Sequence, residues 1–341
     1  MRIPFAAALA ALVAAPPVLA DAPRVVTDIP AVHSLVAQVM GDRGTPVLLT
    51  ERGADPHTMA LRPSQAAALA EADIVFWIGA EMTPWLDRVL DGMAVRGHVV
   101  GLLAAEGTFR QDYGAPAGGH DHGDAAKAAG HAHGHGHSHG HGHSHGHGHS
   151  HGHGDTQAAQ ADDHDHDHSG TDPHAWLDPA NARVWLALIA AELAEHDPGN
   201  AAVYAANAAA AVAEIEALDA RIAATLAGLG DRPFVVFHDA YGYFAGHYGL
   251  TVAGSITLGD AAAPGAARLS ALRDELRAGG AFCAFPEAQH DARLVAAVTE
   301  GTAVRIGGVL DPSGTTLEPG PGLYAALMSG LAETIAACLR G

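Results

Sequence analysis

The sequence predicts an α/β protein in which two lobes with mainly parallel sheets are joined by one long rigid helix. Two series of short apolar segments alternate with helical segments of about ten residues, the pattern of βαβ units. Between the series lies a run of about 28 residues with apolar side chains three and four positions apart, which is helical spacing. At 1.5 Å per residue this helix would be about 40 Å long, a length that suits a connector between lobes.

The N-terminal lobe is predicted over residues 21–185. Its strands are short runs rich in Val, Ile and Leu, and glycine or proline stands near the ends of several helices. We expect strands within 24–29, 45–53, 73–79 and 98–103, helices within 30–41, 62–72 and 82–93, and a turn followed by a helix within 171–198.

The helical linker is predicted over residues 186–230 and the C-terminal lobe over 231–341. The long helix of the linker carries its apolar stripe on Val212, Ile215, Leu218, Ile222, Thr225 and Leu229. In the second lobe we expect strands within 232–238, 250–259, 281–289 and 302–310, and helices within 239–249, 264–280, 291–301 and 322–341.

The first twenty residues have the features of a signal peptide. Arg2 precedes a short apolar run that ends in Val18, Leu19 and Ala20, small and apolar residues that suit signal peptidase. We expect an exported periplasmic protein whose mature chain begins near Asp21; the alternative is a retained N-terminal anchor. No later segment has about 18 uninterrupted apolar residues, as a membrane span would.

The charge balance and the two cysteines restrict partners and compartment. The chain has 38 acidic and 18 basic residues, a formal net charge of −20, which makes nucleic acid an unsuitable partner. In an oxidising compartment Cys283 and Cys338 most simply form a disulfide. Two buried thiols and a two-cysteine zinc site are the alternatives.

Residues 114–169 are a low-complexity segment that we expect to be a disordered loop, because they offer almost no large side chain to bury. Such a chain of imidazoles would bind several metal ions weakly. It could capture zinc for a tighter site, buffer or sense excess zinc, or be a tolerated insertion. The auxiliary ligands are every second residue of its central tract: His131, His133, His135, His137, His139, His141, His143, His145, His147, His149, His151 and His153.

Three isolated histidines outside this tract lie where ligands collect in α/β folds. We place His57, His174 and His238 at the carboxyl ends of strands, in loops that lead to helices. Three neutral imidazoles with a fourth position open suit Zn²⁺, whereas manganese prefers more carboxylate oxygen. A nearby acid could orient each ring; these acids are Asp55, Asp172 and Asp239.

The motifs around these histidines resemble those of the substrate-binding proteins of zinc and manganese ABC transporters, and most closely the periplasmic zinc-uptake members. The matching stretches are "GADPHTMALRPSQAAALAEADIVFWIGAEMTPWL", "DPHAWLDPANA", "FHDAYGYFAGHYGL" and "GTAVRIGGVLDPSGT". The resemblance implies a metal site between the lobes, with His57 and His174 from the first lobe and His238 from the second. A histidine at position 238, where manganese proteins carry a carboxylate, favours zinc.

The fourth ligand remains open in this comparison. Asp311 matches an aspartate that ligates in manganese relatives, and Pro56 stands where some zinc relatives have a glutamate. Water, Asp311 or an imidazole from the tract could therefore complete the shell. The resemblance also implies a disulfide between the second-lobe strand and the last helix, where Cys283 and Cys338 lie.

The predicted function is a periplasmic receptor that captures Zn²⁺ and delivers it to the membrane permease of an ABC transporter. We expect a monomer that is not an enzyme and has no catalytic residues. A manganese receptor, a zinc store or chaperone, and a zinc hydrolase using Glu287 are the alternatives. The remaining histidines have no motif context and are expected to pack locally (His33) or to lie on the surface (His98, His196, His247, His290).

Overall fold

The computed structural model describes residues 22–93, 95–114, 170–257 and 264–341. Within them the chain forms two four-stranded parallel sheets that belong to one compact unit. Two parallel α/β lobes joined by a long helix are therefore confirmed. The predicted signal peptide at 1–20 and the tract from His131 to His153 lie outside the described residues, and the predicted domain boundaries stay predictions.

The N-terminal sheet has the strand order β2-β1-β3-β4. The two central strands are buried along their whole length, as expected for parallel strands covered on both faces, whereas Val47 on the edge strand β2 is exposed. The strands are β1 (Val25–Thr27), β2 (Val47–Leu48), β3 (Ile74–Trp77) and β4 (His98–Gly101).

The helices of this half of the chain begin alike. Each has proline in its first turn, where a missing N–H costs no helical hydrogen bond. They are α1 (Pro30–Met40), α2 (Pro63–Glu71), α3 (Pro84–Gly92) and α4 (Pro179–His196). The Asp178 side chain also caps α4 by accepting a hydrogen bond from the backbone N–H of Ala180.

The C-terminal sheet repeats the same topology, with the order β6-β5-β7-β8. Its strands are β5 (Phe234–Val236), β6 (Val252–Ser255), β7 (Cys283–Ala284) and β8 (Arg305–Ile306), and its helices are α6 (Gly242–Tyr248), α7 (Ala266–Arg277) and α8 (Ala292–Thr299). Strands β7 and β8 are much shorter than the apolar runs that predict them. Pro286 has no N–H for the ladder, and Gly307 and Gly308 follow β8 directly.

The connecting helix α5 (Ala201–Leu226) has 26 residues. It buries one stripe that continues the predicted pattern toward the N-terminus through two alanines and a tyrosine; the buried residues are Tyr204, Ala208, Ala211, Ile215, Leu218, Ile222 and Leu226. Alanine in the stripe allows neighbouring helices to approach closely. Val212 and Thr225, which the sequence pattern included, are only partly buried.

A single apolar core joins the two lobes through α1, α4, α5 and the last helix, α9 (Leu323–Arg340). The start of α9 is tied to α1, because the Ser34 hydroxyl donates to the carbonyl of Pro321 and accepts from the N–H of Tyr324. On its other face each sheet has a smaller core of its own. The two sheets are thus held against one helical layer.

Two helices of the described part of the chain, one including the turn before α5 (Pro198–Leu226) and the other α9, are long and apolar enough by composition to cross a membrane. Each packs against the other and against α1 in the shared core. Packing in this core covers half of the apolar window of α9 but only 28 % of that of the helix containing α5, where exposed alanines supply much of the apolar composition.

The predicted disulfide between Cys283 and Cys338 is present and joins β7 to α9. The bond uses both cysteines of the chain. The alternatives of two thiols and of a two-cysteine zinc site are therefore wrong.

His247 on α6 is not the surface residue that the sequence led us to expect, since its side chain is 11 % exposed. Its Nδ1 lies 2.9 Å from Asp178 Oδ1 and its Nε2 2.9 Å from Asp219 Oδ1. Burial alone would lower the pKa of His247, but the two carboxylates outweigh it and raise the pKa to about 9. A charged imidazole thus ties α6 to α4 and α5.

We predict that His247→Gln destabilises the protein in a pH-dependent way. The folded-state pKa lies above the unfolded value, so the ion pairs contribute fully below about pH 6.5, and the contribution is lost as the pH rises through about 9. The difference corresponds to at most about 3 kcal/mol. Urea unfolding with a chelator, at about pH 6.5 and about pH 10, should show the advantage of the wild type shrinking at the higher pH. An advantage independent of pH would contradict this assignment.

Candidate metal-binding site

Three histidines from distant parts of the chain converge at the boundary of the lobes. His57, His174 and His238 each offer a ring nitrogen, and these nitrogens lie within 4.8 Å of one another. The ring centroids are 5.2 Å apart for His174 and His238, 5.4 Å for His57 and His174, and 6.1 Å for His57 and His238. The structure brings together all three histidines that the sequence singles out.

Two of them stand beyond the carboxyl ends of sheet strands. His57 lies in the loop between β2 and α2, and His238 follows β5 by two residues. His174 does not follow a sheet strand, so that part of the prediction is wrong. It comes after the isolated bridge between Asp112 and Thr171 and before a 3₁₀ turn that leads into α4.

The loop that carries His57 is a turn organised by Asp55. One carboxylate oxygen of Asp55 accepts the backbone N–H of His57 at 2.9 Å, and the other accepts the Thr58 hydroxyl at 2.9 Å. The Trp85 indole on α3 donates to the carbonyl of Pro56 at 2.7 Å. These bonds hold the backbone of the loop beside the lobe boundary.

His174 is fully buried and is oriented by Asp172, as the sequence suggested. The Nδ1 of His174 lies 2.8 Å from Asp172 Oδ1, which also accepts the backbone N–H of His174 at 3.0 Å. The Gln111 amide donates to the other oxygen of Asp172. A carboxylate held in this way fixes the proton of the imidazole on Nδ1.

His238 has the same arrangement, but its partner is Glu287 and not the adjacent Asp239. The Nδ1 of His238 lies 2.5 Å from Glu287 Oε2, and its backbone N–H donates to Oε1 at 3.2 Å. The Tyr241 hydroxyl donates to the same carboxylate at 3.1 Å. Burial and the charge of Glu287 raise the pKa of Tyr241, so its hydroxyl remains a donor.

These pairs determine which ring nitrogens face the site. With the proton on Nδ1, the Nε2 atoms of His174 and His238 carry lone pairs and face each other at 3.3 Å. Two lone pairs at this distance repel unless a proton or a cation lies between them. Nitrogens bound to tetrahedral zinc at about 2.0–2.1 Å stand about 3.3 Å apart, so the spacing fits a shared zinc ion.

The charge of the site also favours a cation. Asp172 and Glu287 are each only 2 % exposed and lie directly behind the two histidines. Buried carboxylates are costly unless positive charge or hydrogen bonds compensate for them. A divalent ion held by the rings would balance both charges.

Asp311, the candidate fourth ligand, is not one of the residues whose ligand atoms group with the three histidines. One of its oxygens accepts the Gln289 amide and the N–H of Thr315, and the other accepts the N–H and hydroxyl of Thr316. These hydrogen bonds occupy its carboxylate in its own loop.

Sequence reasoning missed the roles of two residues beside the site, both in the loop after β7: Glu287 was considered only as the base of a hydrolase and His290 only as a surface residue. Glu287 orients His238, and His290 stacks on Phe237 with 4.3 Å between ring centroids. His290 Nε2 also lies 3.7 Å from Glu287 Oε2. No local signal in the sequence brings these residues to the site: they meet His238 because β7 lies next to β5, so residues after both strands share one edge of the sheet.

His57, His174 and His238 together are called the histidine cage below. The fold and this cage define a class, the two-lobed solute-binding proteins that hold a metal ion. The model of the ZnuA family, described as zinc-uptake complex component A, periplasmic, matches residues 25–338. The chain belongs to this family.

Sequence relatives agree with this assignment. The chain is 52 % identical over 326 residues to the high-affinity zinc uptake system protein ZnuA of Paracoccus denitrificans, a match that covers 96 % of this chain and 94 % of that protein. It is 39 % identical over 310 residues to the protein of the same name from Brucella abortus, covering 90 % and 89 %.

Solved structures show the same fold. A crystal structure of ZnuA superposes with a TM-score of 0.68 at 24 % identity and covers 94 % of this chain and 100 % of that one. The periplasmic zinc-binding protein TroA from Treponema pallidum gives a TM-score of 0.70 at 18 % identity, covering 93 % and 99 %.

We predict that Glu287→Gln and Asp172→Asn each weaken zinc binding by about 10- to 100-fold, because they remove the carboxylate that orients a ligand. Competition with a chromophoric zinc chelator measures the change. Asp55→Asn, which alters a carboxylate bonded to the backbone of His57, is the matched control and should have a smaller effect. Unchanged affinity in both Glu287→Gln and Asp172→Asn would refute the orienting role.

Proposed function

We propose that this chain is a periplasmic receptor that captures Zn²⁺ with His57, His174 and His238 and delivers it to the permease of an ABC transporter. The metal is cargo, and the transport energy comes from the transporter's ATPase. The names of the relatives as zinc uptake proteins support the proposal.

The observation that carries the proposal is the convergence of three imidazoles from two lobes on one point. Two of them face each other through Nε2 at the separation expected for tetrahedral zinc. Three nitrogen donors suit zinc better than manganese, which prefers oxygen ligands. A ligand set drawn from both lobes also links metal binding to their relative position.

The surroundings of the histidines support binding over catalysis. Glu287, the candidate base of a hydrolase, accepts hydrogen bonds from the ring and backbone of His238 and from Tyr241. It therefore lies behind a ligand. A general base needs a carboxylate directed at the substrate or at a metal-bound water.

We propose water as the fourth ligand. The hydrogen bonds that Asp311 accepts from Gln289, Thr315 and Thr316 support this choice, because ligation by Asp311 would disturb them. An exchangeable water in the shell also suits a receptor that must release its ion.

The export of the chain through its signal peptide, its action as a monomer and its contact with a membrane permease are parts of the same proposal. Membership of a family of periplasmic zinc-uptake components supports the export and the contact with the permease. The histidine tract would raise the zinc concentration near the cage as a tethered donor, since a tethered ligand acts at roughly millimolar effective concentration.

We predict that alanine at position 57, 174 or 238 weakens zinc binding by about 100- to 1000-fold. Structural zinc sites bind with about 10–16 kcal/mol shared among four ligands, so one ligand contributes about 3–4 kcal/mol. Competition titrations with Zn²⁺ and Mn²⁺ measure the loss and the selectivity. His247→Gln, which keeps all three ligands, is the control. Wild-type affinity in all three variants would refute the site.

Deleting residues 119–155 removes the histidine tract and leaves His57, His174 and His238 in place, so the contributions of the tract and of the cage can be measured separately. We expect the deletion variant to keep one tight zinc site and to lose the weak ones, as measured by calorimetric titration. Loss of the tight site on deletion would show that the tract supplies an essential ligand.

A further inference from the structure

A second group of side chains that could hold a metal ion lies where strand β4 of the N-terminal sheet meets the end of α4, among residues that the sequence offered no reason to connect. It consists of His98, Glu192 and His196, whose ligand atoms lie within 4.8 Å of one another. His98 is the first residue of the edge strand β4, and the other two lie on α4. None of the three belongs to the cage described above.

Two of the three residues lie one turn apart on the same helix. Glu192 and His196 are four residues apart on α4, so their side chains share a face of the helix. His98 Nδ1 lies 2.9 Å from Glu192 Oε2, and the rings of His98 and His196 have centroids 6.2 Å apart and planes inclined at 28°. Two imidazoles and a carboxylate therefore surround one point.

Both elements that carry the ligands are fixed. Strand β4 pairs with β3 along its length, and the N–H of His98 bonds to the carbonyl of Asp73 at 2.9 Å. Helix α4 is anchored in the shared core through residues such as Trp185, Ile189 and Leu193. Two ligand atoms bound to one tetrahedral zinc ion stand roughly 3.3 Å apart. The 2.9 Å contact between His98 Nδ1 and Glu192 Oε2 must therefore lengthen by a few tenths of an ångström when an ion enters, and side-chain movement alone can supply this.

We propose that His98, Glu192 and His196 form an accessory site for a zinc-class divalent cation, with water completing the coordination. Two nitrogen donors and one oxygen donor match the ligands that zinc takes at open sites, and they disfavour calcium and magnesium, which require mainly oxygen. The bound ion would clamp the edge strand β4 to α4.

The charges nearby are compatible with a cation at this point. Arg24 lies in the same surface cleft but is engaged by Asp73, whose carboxylate accepts its backbone N–H and its guanidinium. The hydrogen bond from the Arg24 guanidinium lowers the pKa of Asp73, and the Arg24 charge adds to this effect. The Asp73 carboxylate therefore neutralises the positive charge of Arg24, and the same cleft is also lined by one further charge of each sign, Glu71 and Arg96.

The accessory site should bind more weakly than the cage. The His98 side chain is 53 % exposed. In the cage, Asp172 and Glu287 each orient a histidine ligand, whereas in the accessory site Glu192 is itself a ligand. Loss of such orienting carboxylates typically costs 10- to 100-fold in affinity for each ligand. We expect a site at least about 100-fold weaker than the cage, occupied when zinc is abundant.

Ring-¹⁵N NMR of the histidines in the full chain tests the proposal. One equivalent of Zn²⁺ fills the cage first, and more zinc is then added. The signals of His98 and His196 are identified by their loss in His98→Gln and His196→Gln. Both should shift with the same zinc dependence, and Glu192→Gln should raise the midpoint at least about 10-fold.

Glu195→Gln is the matched control, because Glu195 is an exposed carboxylate on the same helix outside the group. It should leave the midpoint unchanged. The proposal is overturned if the two signals do not respond to zinc, if His98 responds equally in His196→Gln, or if Glu192→Gln leaves the midpoint unchanged. The readout is independent of the cage, which stays filled throughout.

Discussion

The shared apolar core of α1, α4, α5 and α9 is the constraint on which the rest of the molecule depends. Each sheet packs one face against this helical layer, so the carboxyl edges of both sheets are held at one boundary. His57 and His238 reach each other only because of that arrangement. The charged His247 adds a polar tie across the same region, between α6, α4 and α5.

At the boundary of the lobes, two buried carboxylates orient the histidine rings so that their free nitrogens can bind one ion. Asp172 and Glu287 hold the protons of His174 and His238 on Nδ1, which directs both Nε2 atoms at the same point. The negative charge that this requires is compensated when a divalent cation binds. The site is therefore polarised toward a cation before the ion arrives, and nitrogen donors at this spacing are those that suit zinc.

Local patterns in the sequence predicted the fold and the three histidines, because apolar periodicity and the DPHAW and FHDAY motifs are local features. Asp172 was predictable for the same reason, as it lies two residues from His174. Glu287 was not, because it depends on β7 lying beside β5, and strand order is a tertiary property. The grouping of His98 with α4 and the burial of His247 likewise arise from packing between distant segments.

Anomalous diffraction at the zinc edge, on crystals of the full chain with one equivalent of Zn²⁺, locates the bound ion. We predict one dominant peak about 2.0–2.1 Å from Nε2 of His174 and of His238 and within bonding distance of a ring nitrogen of His57. A dominant peak elsewhere, with no zinc between these three rings, would contradict this prediction.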